Sequence, residues 1–458
     1  MIVFEVDNIF TKLVTETREE FQTIRSLLSF YADGYQFSKA YRRGKWNGKI
    51  CFLTSAGRFP TGLLPYVLKK LPLWLKNSCK IHDRRNVPDI RYLVPSLKGI
   101  ELRPYQKRFV INACRKKRGV IWAPAGSGKT EIALAIIAAL QYPKTLYLVH
   151  QKDLLHQTAR RISQRTGIRA GTIGDGYFVE GRITVATVQS LWQRIKQKDP
   201  ITNLMLRHTR LLILDECHHA SATTWYKIAM KTDAYFRFGL SATPLTKSSI
   251  RNFRLFAATA AIIVDRITEN ELAAQGYLCY PTIKMIRVNA APLPAGLPFK
   301  IVYERGIVRN SVRNAIIAEQ VKTLLEEDKS VLILVEKIEH GKILSELLES
   351  PFLSGKEPLK TRKKMMDALS GKHIRVLVAT TIFDEGIDIP TLDSVILAGG
   401  GKSYIRLIQR IGRSMRTVDS KQNAIIIDFL DTCHHLLKRH SAERLKLYKT
   451  KNYPVTII

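Results

Sequence analysis

The chain has 458 residues, more than one typical core accommodates, so two or three domains are expected. Its hydrophobic content of 45% with 24% charged residues is that of a soluble globular protein, and no run approaches the ~18 apolar residues of a membrane-spanning helix. The balance of 73 Lys and Arg against 39 Asp and Glu gives a net charge of +34, a field that attracts polyanions and makes nucleic acid, not a membrane, the expected partner.

The opening residues, Met1 to Asp7, carry early acids and lack the basic region and cleavage site of a signal peptide, which leads us to expect a cytoplasmic protein. The six cysteines (51, 79, 114, 217, 279 and 433) are scattered, with no paired short spacing, and read as reduced thiols. His218-His219 and His434-His435 have no Cys or His at ligand spacing, so no structural metal is assigned.

Residues 1–95 form a first segment, read as a small α+β domain. It is rich in Gly, aromatics and bases; residues 1–100 hold 17 Lys and Arg against 8 Asp and Glu. Trp46-Asn47-Gly48-Lys49 followed by an apolar run predicts a β-hairpin with a tight Asn-Gly turn. Tyr35, Arg42, Arg43, Lys45, Trp46 and Lys49 interleave aromatics with cations. Such a set can stack on exposed bases while holding phosphates, or the aromatics can form the segment's own core.

From Leu102 the pattern becomes apolar strands alternating with helices, the signature of a parallel, doubly wound sheet. Residues 96–270 read as a first such domain. An apolar run ending at Trp122 leads into Ala123, Pro124, Ala125, Gly126, Ser127, Gly128, Lys129 and Thr130, and then into a long apolar helix. A strand, a tight small-residue turn and a helix N-terminus make a phosphate cradle. Lys129 can reach β- and γ-phosphates and Thr130 can ligate Mg²⁺, although the strict pattern has Gly where Ala123 stands. The segment therefore predicts binding of a nucleoside triphosphate.

Residues 211–214, all apolar, predict a buried strand with Asp215 and Glu216 emerging at its carboxyl end, where open α/β sheets place ligands. Asp215 can hold Mg²⁺ and Glu216 can activate the attacking water. Ser241-Ala242-Thr243-Pro244 follows another strand. Prolines 281, 292, 294 and 298 mark a linker and boundary between about 265 and 305. A second α/β series, within 271–458, has strands near 331–335, 374–378, 394–397 and 424–427. It carries Gln409, Arg410, Arg413 and Arg416, the three arginines spaced to project from one helical surface. The tail, 438–451, reads as a basic helix, solvated or facing DNA.

Taken in order, these motifs closely resemble superfamily 2 helicases over about residues 100–430, which implies a fold of two tandem RecA-like parallel-sheet domains using ATP and Mg²⁺. The resemblance implies that Arg103 and Gln106 recognise adenine. It implies that Lys129 and Thr130 bind phosphate and metal, and that Asp215 and Glu216 support hydrolysis. Ser241 and Thr243 would couple nucleotide state to strand grip, and Gly386 and Asp388 would line the nucleotide side. Gln409, Arg413 and Arg416 would reach across from the second domain, and Thr187, Gln189 and Thr380 would touch the nucleic-acid backbone. The box Asp-Glu-Cys-His departs from the Asp-Glu-Ala-Asp form of the large RNA helicase group.

The N-terminal stretch around Ala32-Asp33-Gly34-Tyr35 and Trp46-Asn-Gly-Lys49 resembles phage recombination helicases of the UvsW type. That resemblance implies a monomer that remodels branched or forked DNA, acts on RNA–DNA hybrids as well, and works in the host cytoplasm if the chain is of phage origin. An RNA helicase or duplex-DNA translocase of the same superfamily remains open, as does a basic annealing protein with a vestigial ATP site.

Overall fold

The computed structural model describes the chain apart from residues 89–91, 125, 222, 278–280, 381–391, 401–424 and 451–452. By contacts the chain divides into two units, Met1–Thr268 and Glu269–Ile458.

The first unit opens with a four-stranded sheet in the order Arg58–Pro60, Phe10–Thr15, Ile2–Val6, Cys79–Asp83. Ile2–Val6 alternates buried and half-buried residues, so Ile2, Phe4 and Val6 face one core. Helix Arg18–Leu27 starts at a capping box: Thr17 accepts from the Glu20 amide while the Glu20 carboxylate accepts from the Thr17 amide. The core of this sheet does not close on itself. It takes in Phe253 and Ala257 of helix Ser249–Ala258, and a Cβ on Gly62 would fall 2.1 Å from the Phe256 carbonyl oxygen.

The main sheet of this unit has eight strands in the order Tyr177–Val179, Gly171–Gly174, Ile183–Thr187, Thr145–Val149, Leu211–Asp215, Phe236–Ser241, Arg118–Trp122, Ile263–Arg266. Only the first pair is antiparallel. Thr145–Val149 and Ile183–Thr187 are buried at every position, as strands covered on both faces must be. Helix Lys129–Ala139 is buried from Ile132 to its end because it is apolar on all sides. Phe236–Ser241 lies between the strand that ends at Asp215 and the strand that feeds the phosphate loop.

The second unit is a wholly parallel seven-stranded sheet, ordered Phe352–Leu353, Val376–Thr380, Val331–Val335, Ser394–Leu397, Ile425–Asp431, Thr282–Val288, Val455–Ile457. Helix His435–Thr450 forms the basic tail, and one side of it is structural. Arg444 donates to both Asp428 carboxylate oxygens at 2.8 and 3.0 Å, and the Tyr448 hydroxyl donates to Asp428 Oδ2 at 2.7 Å.

Two expectations need correction. The stretch read as linker, about 265–305, contains strand Thr282–Val288, paired with Ile425–Asp431 over its whole length. Pro281 stands just before this strand and so removes no ladder bond. The expected tight hairpin at Asn47-Gly48 is also absent. Lys49–Cys51 pairs antiparallel with Ser29–Tyr31, and residues 32–48 form an excursion between the two strands. The local turn chemistry is nevertheless present: Gly48 has φ of 78°, and Asn47 Oδ1 accepts from the Lys49 amide.

Candidate nucleotide site

The phosphate loop leaves strand Arg118–Trp122 and re-enters the chain at helix Lys129–Ala139, with Gly126 and Gly128 at φ of 85° and 72°. Only glycine suits Gly128, where a Cβ would approach Gln106 Nε2 to 2.5 Å. The loop is braced from beneath. Ser127 is fully buried, its hydroxyl donates to the Pro124 carbonyl at 2.6 Å, and its own carbonyl accepts from Tyr105 Oη at 2.7 Å and Gln106 Nε2 at 2.9 Å. Gln106 Oε1 in turn accepts from the Arg103 amide at 2.9 Å. Gln106 thus meets the loop directly, with both ends of its amide engaged by the protein, while Arg103 bonds to Gln106 and to the Tyr105 hydroxyl behind it.

Leu211–Asp215 delivers the two carboxylates. Asp215 accepts from the Tyr147 hydroxyl at 3.1 Å and from the Glu216 amide at 3.0 Å. Glu216 takes φ of 46°, an uncommon left-handed conformation that turns its side chain out of strand direction. Its carboxylate stands 3.3 Å from Lys129 Nζ and 3.4 Å from His218 Nδ1. His218 also lies 3.1 Å from Ser241 Oγ, which accepts from the Thr243 amide at 3.1 Å. A continuous polar path therefore joins Lys129, Glu216, His218, Ser241 and Thr243.

The electrostatics of the two acids diverge. Burial and the adjoining Glu216 charge push the Asp215 carboxyl up, against the pull of Lys129 and Tyr147. Burial also works against ionised Glu216, but Lys129 and then His218 outweigh it and hold that carboxyl below its ordinary range. A half-buried acid that is costly to ionise is a site where a divalent cation would be welcome. Asp215 with Thr130 could hold such an ion, and the glycine-framed loop with Lys129 could hold phosphates.

The remaining sequence-predicted residues are distributed as follows. Ala125, Gly386, Asp388, Gln409, Arg413 and Arg416 lie outside the described residues. Thr187 is 2% exposed and caps helix Val188–Lys196, accepting from the Ser190 amide, while Gln189 is exposed and donates to the His150 carbonyl. Thr380 is buried at a strand end. Arg42, Arg43, Lys45 and Lys49 are exposed, whereas Tyr35 is packed between Tyr31 and Tyr41, and Trp46 donates to the Lys49 carbonyl.

Sequence reasoning missed Tyr105 and Tyr147. The signal for Tyr147 was present, since a tyrosine inside a fully buried strand needs a partner for its hydroxyl.

Three family models match the chain in succession. "DNA helicase UvsW, N-terminal" covers residues 6–72, "Type III restriction enzyme, res subunit" covers 99–246, and "Helicase conserved C-terminal domain" covers 313–418. The ATP-dependent DNA helicase uvsW of Enterobacteria phage T4 is 26% identical over 94% of this chain and 91% of its own length. The DNA 3'-5' translocase XPB2 of Sulfurisphaera tokodaii is 27% identical over 90% of this chain and 99% of its own. The helicase domain of Pyrococcus furiosus Hef shares the fold with a TM-score of 0.59 at 18% identity, over 77% of this chain and all of that one. The three matched regions in this order, with the alignment to the phage relative over 94% of the chain, support an ATP-dependent DNA helicase of superfamily 2 that resembles the UvsW type.

Proposed function

We propose that the chain spends ATP hydrolysis on remodelling branched or forked DNA, by branch migration, fork regression and dissociation of D-loops or R-loops. The observation that carries this reading is the presence, within one contact unit, of a built phosphate site and an exposed aromatic and basic excursion at 32–48. Further support comes from the length of the match to the phage relative and from the N-terminal model at 6–72.

In this reading Lys129 holds the terminal phosphates of ATP, with the backbone of Pro124, Ala125, Gly126, Ser127 and Gly128 around them. Thr130 and Asp215 hold Mg²⁺, which when bound neutralises phosphate charge and lowers the cost of ionised Asp215. Glu216, already ionised beside Lys129, orients a water and takes its proton. His218 reports the state of Glu216 to Ser241 and Thr243, through the hydrogen-bond path described above. Arg103 and Gln106 recognise adenine, Gly386, Asp388 and Gln409 contact the nucleotide, and Arg413 and Arg416 supply positive charge to phosphoryl transfer. Gln189 and the exposed cations of the N-terminal excursion take DNA phosphates; Thr187 and Thr380, both buried, serve through their backbone. RNA–DNA hybrids are a further substrate, and the working form is a monomer.

A second reading, translocation on unbranched duplex, is favoured by the name and full-length match of the XPB2 relative. Stimulated ATP turnover at one fixed salt concentration, compared on linear duplex, fork, four-way junction and RNA–DNA hybrid, separates the two. We expect fork and junction to exceed linear duplex at least fivefold; equal stimulation by linear duplex supports translocation, and stimulation by RNA alone overturns both.

A further inference from the structure

The excursion at 32–48 is a closed knob. Ser29–Tyr31 and Lys49–Cys51 pair at its neck, and the Ala32 amide donates to the Gly48 carbonyl at 2.9 Å. Inside it the Tyr31 and Tyr35 rings stack at 4.6 Å, Tyr41 meets Tyr35 edge-on at 4.8 Å, and a Cβ on Gly48 would strike the Tyr35 ring. These rings pack on one another, although Tyr31 and Tyr41 keep 52% and 37% of their surface exposed. Phe37 stands outside this stack, on the short turn Tyr35–Phe37, with 76% of its surface exposed.

The knob is also anchored. At its base the Phe30 ring lies 3.8 Å from that of Phe253, which is 8% exposed. Asp33 accepts from Ser248 Oγ at 2.6 and 2.7 Å and pairs with Arg251 at 3.4 Å. Ser248 caps helix Ser249–Ala258, which begins just past Thr243 and Pro244. The knob is therefore mounted on the segment that follows the Ser241–Thr243 end of the polar path. Asp33, the only acid of the excursion, is consumed by this mount, which leaves Lys39, Arg42, Arg43 and Lys45 as its surface charge.

Phe37 is the most exposed ring of the segment, ahead of Tyr31 and Tyr41, and it stands on a surface whose charges are all cationic; that combination suits a nucleobase face better than a protein surface, because phosphates satisfy the cations while the base covers the ring. We propose that Phe37 is the residue that stacks on the first unpaired or terminal base at a DNA branch, with the Asp33 mount holding it at a fixed place on the first unit. This deepens the branched-DNA reading and rests on it.

The test uses forks carrying 2-aminopurine at the branch pair, bound to full-length wild type, Phe37→Ala and Phe37→Trp without nucleotide. Wild type and Phe37→Trp should change the fluorescence as the base exchanges its neighbour for the ring, and Phe37→Ala should not reproduce that change. The ratio of fork unwinding to displacement from linear tailed duplex should fall about tenfold in Phe37→Ala and be restored in Phe37→Trp, the scale expected for losing one base–aromatic stack. A Phe37→Ala protein that gives the wild-type fluorescence change and the wild-type ratio overturns the assignment while leaving the branched-DNA reading intact. A wild-type protein with no preference for forks sinks that reading itself, and the assignment with it.

Discussion

Arg118 donates to Asn8, to its carbonyl at 2.8 Å and to its side-chain oxygen at 3.0 Å, across the join between the N-terminal sheet and the eight-stranded sheet. The same guanidinium reaches the Tyr235 and Ala234 carbonyls at 2.6 and 3.0 Å. It is buried, and burial pushes its pKa well below the ordinary arginine value, so its charge is carried only because these acceptors surround it. The N-terminal region is thereby welded to the nucleotide-binding domain, which gives the knob at 32–48 a fixed base.

Arg118→Leu removes the weld and strands four acceptor contacts. We expect a loss of about 3 kcal/mol in chemical denaturation, on the scale of an opened buried polar network. Limited proteolysis should cut the N-terminal region before the first unit unfolds.

The second unit contains a comparable cluster in Arg444, Asp428 and Tyr448. Asp428 outweighs the burial of Arg444 and holds its guanidinium charged. Asp428→Asn leaves that charge in the interior without its counterion, for an expected cost of about 3–5 kcal/mol. Arg444 Nη1 also donates to the Gly400 carbonyl at 3.0 Å, so urea unfolding of this variant should lose the second unit first.

Stability should also depend on acid through His340. It is fully buried with Nε2 3.0 Å from Asn314 Oδ1, and burial followed by the Arg313 charge lowers its pKa to about 3. A lowered folded-state value means the unfolded chain takes up the proton first. Stability is then complete above about pH 6.5 and is lost as pH falls toward 3, by about 2 kcal/mol at pH 5. His340→Gln should flatten the unfolding midpoint between pH 7 and 5 relative to wild type.

Much of this architecture could be read from the residues. The runs at 146–149, 211–214 and 331–335 are hydrophobic at every position, and a strand buried on both faces tolerates that. The phosphate loop and the acidic pair were legible for the same reason: each lies at the end of such a strand. Thr282–Val288 was not, because Lys284 and Arg287 interrupt it and Pro281 stands at its entry, so local composition resembles a linker while the pairing comes from Ile425–Asp431, far along the chain. The knob was misread through a correct local signal. Asn47-Gly48 does turn the chain, but the partner of Lys49–Cys51 is Ser29–Tyr31, and nothing near the turn specifies that distance. Composition alone could not separate Tyr35, which is packed internally, from Phe37, which is not.

The account depends on Glu216 serving as an ionised base beside Lys129. The direct measurement is steady-state ATP hydrolysis at saturating forked DNA and Mg²⁺ for wild type and Glu216→Gln, with DNA affinity measured in parallel. We predict a fall in kcat of at least ~100-fold with DNA affinity within about threefold of wild type. A Glu216→Gln protein that turns over ATP within about threefold of the wild-type rate would contradict the account.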